Sequence, residues 1–245
     1  MNIPTIKGLI RRRLLVNFRA DPVVVQRLLP TPFQPKQHDG VALVGICLIR
    51  LEQIRPDGLP GFMGISSENA AHRIAVEWTD ETGAAREGVF IPRRDTGSRL
   101  NHAVGGRIFP GEHHLARFDV MDASGHISLV MQSADGQAMV RVVGREASEL
   151  PVASCFRSLS EASRFFEGGS LGYSVTRDPQ RLDGLQLHTA GWHVRPLTVE
   201  VVESSFFENQ TLFPLGTIEF DHALLMRDVA HEWRQVAEMR VGLPG

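Results

Sequence analysis

Short apolar segments separated by turn residues fill most of the chain. Residues 41–49 are apolar at both alternating positions, which is typical of a strand covered on both faces. Other β-rich runs bounded by turn signals predict further strands. Those strands are expected at 71–78, 87–91, 114–122, 126–133, 138–143, 171–176, 185–194, 197–206 and 217–226. About ten short strands with few helices predict a mainly β fold, antiparallel for the most part, in a single domain over residues 1–245.

Three helices are predicted from capping residues and apolar spacing. Asp21-Pro22 supplies an N-cap and a first-turn proline for a short helix. Residues 97–109 carry apolar side chains at every fourth position, which favours a helix. Ser158 and Glu161 form a capping-box pattern that predicts a third helix. Helices are therefore expected to be few and short.

Composition limits the partners and the compartment. The 245 residues carry a formal net charge of −2, so bulk charge gives no reason to expect nucleic acid or an anionic membrane as a partner. Residues 1–13 lack the long apolar core of a signal peptide, and 18 apolar residues never run together. Two cysteines form neither a disulfide framework nor a zinc-ligand pattern. These features predict a cytoplasmic protein.

The basic residues are unevenly divided. Lysine occurs only at positions 7 and 36, and the other 24 of the 26 basic residues are arginine. Any mechanism that needs a lysine amine therefore has two candidates. Residues 11–13 and 93–94 are short arginine clusters, of the kind that is typical of a solvated face. Cys47 lies inside the apolar run 41–49 and is interpreted as a buried thiol.

The most reactive-looking cluster is Glu112-His113-His114, which follows the predicted middle helix. Neighbouring side chains on a strand point to opposite faces, so at most one of the two imidazoles is expected to face an interior site. That imidazole would serve as a general acid or base or as a hydrogen-bonding group. The spacing of a metal site is missing, so no metal is predicted. Glu68 precedes a predicted strand, where its carboxylate either enters the mouth of a barrel or remains an exposed charge.

Motifs for several cofactor and enzyme classes are missing from the sequence. No Gly-x-Gly-x-x-Gly follows a predicted strand, and no phosphate-binding Gly-x-x-x-x-Gly-Lys occurs. The serines lie outside any Gly-x-Ser-x-Gly context, which argues against a serine hydrolase. No cofactor is therefore predicted.

The segment LLVNFRADP at 14–22 leads to LPTPF at 29–33. These two segments resemble the opening of acetoacetate decarboxylase-like proteins. GRIFPGEHHL at 106–115 falls where the decarboxylases carry Gly-Arg-Glu, a proline and a Lys-Lys pair. HDG at 38–40 and the loop at 55–61 are more similar to the YqjF-like bacterial branch, a domain of unknown function. The likeness covers most of residues 11–225.

The resemblance implies a curved antiparallel β barrel that encloses a pocket. In the decarboxylases, one lysine of the pair forms a Schiff base with the substrate. The matching positions here hold His113 and His114, and an imidazole cannot form the required iminium. The resemblance also matches Arg11 and Glu68 to an arginine and a glutamate of the decarboxylase pocket, whereas Ile108 replaces another glutamate of that pocket.

The leading hypothesis is a small-molecule-binding barrel without Schiff-base chemistry. Its ligand is expected to be a small carboxylate or oxo acid held by Arg11 or Arg107, beside Glu68 and one of His113 and His114. One alternative is a hydratase, isomerase or hydrolase that uses a histidine and Glu68 as general acid and base. A second alternative is a non-catalytic module that senses a metabolite. Neither nucleic acid nor a membrane is an expected partner, and a homo-oligomer is compatible with the sequence.

Overall fold

A computed structural model describes residues 5–104 and 111–242. Its strands belong to one large sheet. In chain order the strands are β1 (Ile6–Ala20), β2 (Gln34–Pro35), β3 (Gln37–His38), β4 (Val41–Pro56), β5 (Ile65–Thr79), β6 (Ala85–Thr96), β7 (His113–Ala123), β8 (His126–Ser133), β9 (Met139–Glu146), β10 (Leu171–Val175), β11 (Arg181–Thr189), β12 (Arg195–Ser204) and β13 (Ile218–Arg240). The predicted mainly β fold is confirmed.

The sheet closes on itself twice. Strands β13, β1, β4, β5 and β6 pair in that order, and β10 and β11 connect β6 back to β13, which makes a ring of seven strands. On the other side, β7, β8, β9 and β12 also connect β6 to β13. Two pairings depart from the predicted antiparallel pattern, because β6 runs parallel to both β7 and β10. The connections between these strands contain helices, which lets parallel neighbours form.

The helices are α1 (Pro22–Gln26), α2 (Arg99–Val104) and α3 (Leu159–Glu167), and two short 3-10 turns occur at Gly61–Met63 and Gly168–Ser170. The Asp21 carboxylate accepts a hydrogen bond from the Val23 amide at 2.8 Å, and Ser158 caps α3 as predicted. The predicted helix at 97–109 is observed over Arg99–Val104, and residues 105–110 lie outside the described part of the chain. No helix among the described residues combines the length and the apolar character that crossing a membrane requires.

Strand β4 has a core on each side, as the continuous apolar run predicts. Val44 and Ile46 belong to one hydrophobic cluster, together with Leu14 of the neighbouring strand β1. Cys47 and Ile49 face the other cluster. Because successive side chains of a strand point to opposite faces, only an apolar run at both positions can fill two cores.

Strand β1 is not among the strands predicted from the sequence, because its middle carries Arg11, Arg12 and Arg13. The interpretation of these arginines as a solvated face is wrong for two of the three. Arg12 is 3% exposed and Arg13 is 9% exposed, whereas Arg11 is exposed. The buried Arg12 guanidinium is compensated by an ion pair with Glu68 at 2.7 Å, which offsets the cost of removing the charge from water.

Candidate functional site

A cavity of about 120 Å³ lies inside the seven-strand ring, and every strand of that ring contributes lining residues. Much of the wall is apolar. Its larger apolar side chains are Ile49, Leu51, Ile54, Ile91, Leu185, Leu187 and Trp233. Polar side chains come mainly from β5 and β6 and from the segments that follow them. A concave site with a mainly apolar wall and a few converging polar groups is typical of a binding site for a small organic molecule.

Three arginines converge on this cavity from three strands of the ring. Arg13 comes from β1, Arg73 from β5 and Arg94 from β6. None of the three forms an ion pair with another described residue. Instead, Arg73 Nη2 donates to Asn17 Oδ1 at 2.6 Å and Arg94 Nε donates to Ser174 Oγ at 2.8 Å. The guanidiniums are therefore held in place by neutral acceptors and keep their positive charge.

Burial makes these charges costly. It lowers the pKa of Arg73 and of Arg94 to about 10 each, and the positive charge of Arg13 adds to the lowering at Arg73. The charge of Asp183 opposes the lowering at Arg94. A pKa of about 10 still leaves both groups protonated at neutral pH. Buried positive charge without a paired carboxylate is stabilised when an anion binds beside it.

Asp95 is the one carboxylate among the described lining residues, and it is already neutralised. Arg93 binds it with Nε and Nη2, each at 2.9 Å. Arg93 also contacts Asp135 on the outer side. Because Arg93 takes up the charge of Asp95, this carboxylate is a poor counter-ion for the three cavity arginines.

The two adjacent histidines have different surroundings. His113 lines the cavity, and its Nδ1 donates to the Gly111 carbonyl at 3.2 Å. Burial, followed by the positive charge of Arg94, lowers the pKa of His113 to about 3, so its ring is neutral at physiological pH. His114 does not line the cavity, and its Nδ1 lies 3.1 Å from Asp135 Oδ2. The two imidazoles lie on opposite faces because side chains alternate along β7.

The other sequence-predicted site residues lie elsewhere. Arg11 is on the exposed face and pairs with Glu52 at 3.0 Å and with Asp228 at 2.5 Å. Glu68 pairs with Arg12 and borders an open surface groove instead of the cavity. Arg107 lies outside the described residues. Of the predicted residues that the structure describes, only His113 reaches the cavity.

Arg13, Arg73, Arg94 and Cys47 were not predicted as site residues from the sequence. The usable signal was strand alternation. If residues 6–20 form one central strand, Arg12 and Arg13 must face opposite sides, and one of them must enter the ring. The arginines at 73 and 94 carry no such local signal, because each depends on which neighbouring strands complete the ring.

Comparison with family models identifies the family of the chain. The model of DUF2071, described as an uncharacterised conserved protein (COG2071), matches residues 9–228. The chain belongs to this family. No curated protein matches the sequence of this DUF2071 member.

Solved structures share the fold of this DUF2071 chain. An acetoacetate decarboxylase-like enzyme from Sphingomonas wittichii RW1 aligns with a TM-score of 0.60 at 13% identity, covering 98% of this chain and 93% of that one. Acetoacetate decarboxylase from Legionella pneumophila aligns with a TM-score of 0.60 at 13% identity, over 97% and 90%. The enduracididine biosynthesis enzyme MppR, in complex with pyruvate, aligns with a TM-score of 0.58 at 9% identity, over 98% and 91%. These likenesses confirm an acetoacetate decarboxylase-like fold.

Proposed function

We propose that this DUF2071 protein binds a small carboxylate or oxo acid in the cavity of the seven-strand ring. The observation that carries the proposal is the convergence of Arg13, Arg73 and Arg94, none of which is ion-paired with a described residue. Guanidinium groups bind carboxylates through charge-assisted hydrogen bonds, often two at a time. The bound pyruvate of the structural neighbour MppR supports an oxo acid as the ligand class.

The cavity suits an acid with a short carbon chain. A volume of about 120 Å³ accommodates only a few heavy atoms, and the apolar wall around Leu51 and Ile91 offers a place for the carbon chain. The neutral His113 ring adds a polar group without adding charge. The carboxylate would therefore lie among the arginines, and the remainder of the ligand would pack against the apolar wall.

The ligand is expected to stabilise the folded state in proportion to its concentration over its Kd. Thermal unfolding in the presence of pyruvate or acetoacetate should shift upward, whereas neutral acetoacetamide should leave it unchanged. Arg94→Gln should weaken binding of the acid by about 10- to 100-fold, because a hydrogen bond to a charged group contributes about 1.5–3 kcal/mol. Isothermal titration measures the two affinities directly.

The matched control is Arg145→Gln, which removes an exposed arginine that pairs with Glu200. This variant should bind the acids as the wild type does. Equal stabilisation by acetoacetate and acetoacetamide, or an unchanged affinity in folded Arg94→Gln, would contradict an anion site at the arginines.

A Schiff base with acetoacetate is not expected. Lys7 pairs with Asp57 and Glu232 on the surface. Lys36 pairs with Glu87 at 2.6 Å and borders a separate pocket of about 10 Å³. Borohydride added together with acetoacetate should therefore leave the mass of the intact protein unchanged. A one-to-one adduct that disappears in Lys36→Arg would overturn this expectation.

A further inference from the structure

Cys47 lies on the wall of the cavity, in the middle of β4. Its Sγ accepts a hydrogen bond from Arg13 Nε at 3.3 Å. Arg73 and Arg94 line the same cavity. The sulfur of Cys47 therefore shares the cavity with all three arginines.

A second observation indicates that a ligand is expected in the cavity that Cys47 lines. Arg13 is 9% exposed, and its buried Nη1 has no hydrogen-bond partner among the described residues. A buried guanidinium nitrogen without an acceptor is costly, and a bound carboxylate oxygen would supply that acceptor. Arg13 lines the cavity, so a carboxylate that enters the cavity can supply this acceptor while Cys47 keeps its hydrogen bond from Nε.

Cys155 offers an internal comparison. It is half-buried, and burial followed by the negative charge of Asp221 raises the pKa of its thiol to about 12. Thiolate is the nucleophilic form of cysteine, and neighbouring positive charge stabilises it. The two cysteines of the chain thus lie in opposite electrostatic surroundings, one among arginines and one beside a carboxylate.

We infer that Cys47 is a nucleophile that forms a covalent bond with a small anionic electrophile held by the cavity arginines. The inference rests on the proposed function, because the arginines must bind the carboxylate of the electrophile. With an oxo acid, the sulfur electron pair forms a C–S bond to the carbonyl carbon. The π pair of the carbonyl moves to its oxygen, which takes up a proton equivalent to the one that the thiol lost. The product is a hemithioketal, and no oxidant, reductant or further reactant is needed.

Two alkylating reagents that differ in charge test this inference. In the reaction with iodoacetate, a C–S bond forms, the C–I bond breaks, iodide leaves and the thiol proton passes to the buffer. Iodoacetamide reacts in the same way but carries no charge. Peptide mass spectrometry gives the rate at each cysteine. The ratio of the iodoacetate rate to the iodoacetamide rate at Cys47 should be at least about tenfold higher in the native protein than in urea, where the arginines are dispersed.

Three controls sharpen the result. Pyruvate should slow the reaction of native Cys47 with iodoacetate, which requires no mutation. Arg13→Gln should lower the rate ratio at Cys47 towards its value in urea. Cys155→Ser should leave that ratio unchanged.

The outcomes separate this inference from the proposed function. If pyruvate binds but native Cys47 reacts with neither reagent, or reacts with the rate ratio seen in urea, Cys47 is not the nucleophile and the anion site remains. If pyruvate does not bind and the rate ratio is also unchanged, both ideas fail. A raised ratio together with protection by pyruvate supports both.

Discussion

Lowering the pH from 7 to 4.5 is expected to reduce the free energy of unfolding by about 5 kcal/mol through two buried histidines alone. His72 is fully buried against Phe206, with 4.7 Å between the ring centroids. Burial, followed by the positive charge of Arg93, lowers the pKa of His72 to about 3. Burial and then Arg13 lower the pKa of His231 to about 4.

The direction of the effect follows from proton binding. Both folded-state pKa values lie below the 6.5 of an unperturbed histidine, so below pH 6.5 the unfolded chain binds protons that the folded protein does not. Stability is therefore lost as the pH falls. Each group contributes about 1.4 kcal/mol per pH unit, hence about 2.7 kcal/mol between pH 6.5 and 4.5. Above pH 4.5, the carboxylates with lowered pKa values contribute little to the change.

Urea unfolding followed by tryptophan fluorescence at several pH values measures this dependence. His72→Leu should remove about a third of it, because His113, whose pKa is also lowered to about 3, adds a share similar to those of His72 and His231. At pH 7 the variant should be as stable as the wild type or more stable, because neither ring nitrogen of His72 has a hydrogen-bond partner among the described residues. His188→Gln, at an exposed position, is the control and should keep the full slope. A pH dependence that begins only below pH 4.5 would refute the argument.

Hydrophobic alternation predicts most of the fold correctly. The strand expected at 126–133 is observed with the same bounds, since Ile127 and Leu129 alternate with more exposed positions and turn residues flank the run. Hydrophobic alternation does not predict strand β1, because its buried arginines are covered by partners that are distant in the sequence. The ion pair with Glu68 of β5 offsets the cost of removing the Arg12 charge from water, and no local sequence pattern contains that information.

The candidate site also has one residue that a local pattern predicts and others that depend on distant parts of the chain. His113 could be predicted because its reactive cluster lies at the start of a strand, and alternation selects one of two imidazoles. Arg73 and Arg94 belong to the site only because β6 pairs in parallel with β10, which helps to close the ring around them. Closure of the ring is a property of strand order, and strand order is not encoded in the period of any single segment.

Asp221→Asn is expected to lower the free energy of unfolding by about 3 kcal/mol or more. The buried Asp221 carboxylate accepts hydrogen bonds from His222 Nδ1 at 2.5 Å, Ser154 Oγ at 2.7 Å and the Cys155 amide at 2.9 Å. Burial alone would raise the pKa of Asp221, but these hydrogen bonds, that of His222 first, hold it well below its usual range. An asparagine offers one acceptor oxygen and turns its N–H groups towards other donors.

Glu219→Gln is the matched control, because Glu219 and Asp221 both bind Arg19. Glu219 is 69% exposed in its side chain, so its loss should change stability by less than about 1 kcal/mol. Urea unfolding at pH 7 compares the two variants with the wild type. Losses of similar size in both would show that Asp221 acts only as a surface charge.

The consequence of Asp221→Asn should extend to the cavity through a chain of hydrogen bonds with a fixed direction. Because His222 donates to Asp221 through Nδ1, its Nε2 is an acceptor and receives a hydrogen bond from Asn17 Nδ2 at 3.0 Å. Asn17 Oδ1 then faces Arg73, whose Nη2 donates to it at 2.6 Å. If the new amide at position 221 donated to His222 Nδ1, the proton of the ring would move to Nε2. The Asn17 amide would then have to rotate, which would bring its Nδ2 donor against the Arg73 guanidinium. Folded Asp221→Asn should therefore bind pyruvate more weakly than Glu219→Gln, since Arg73, one of the three arginines proposed to bind the carboxylate, loses its fixed orientation.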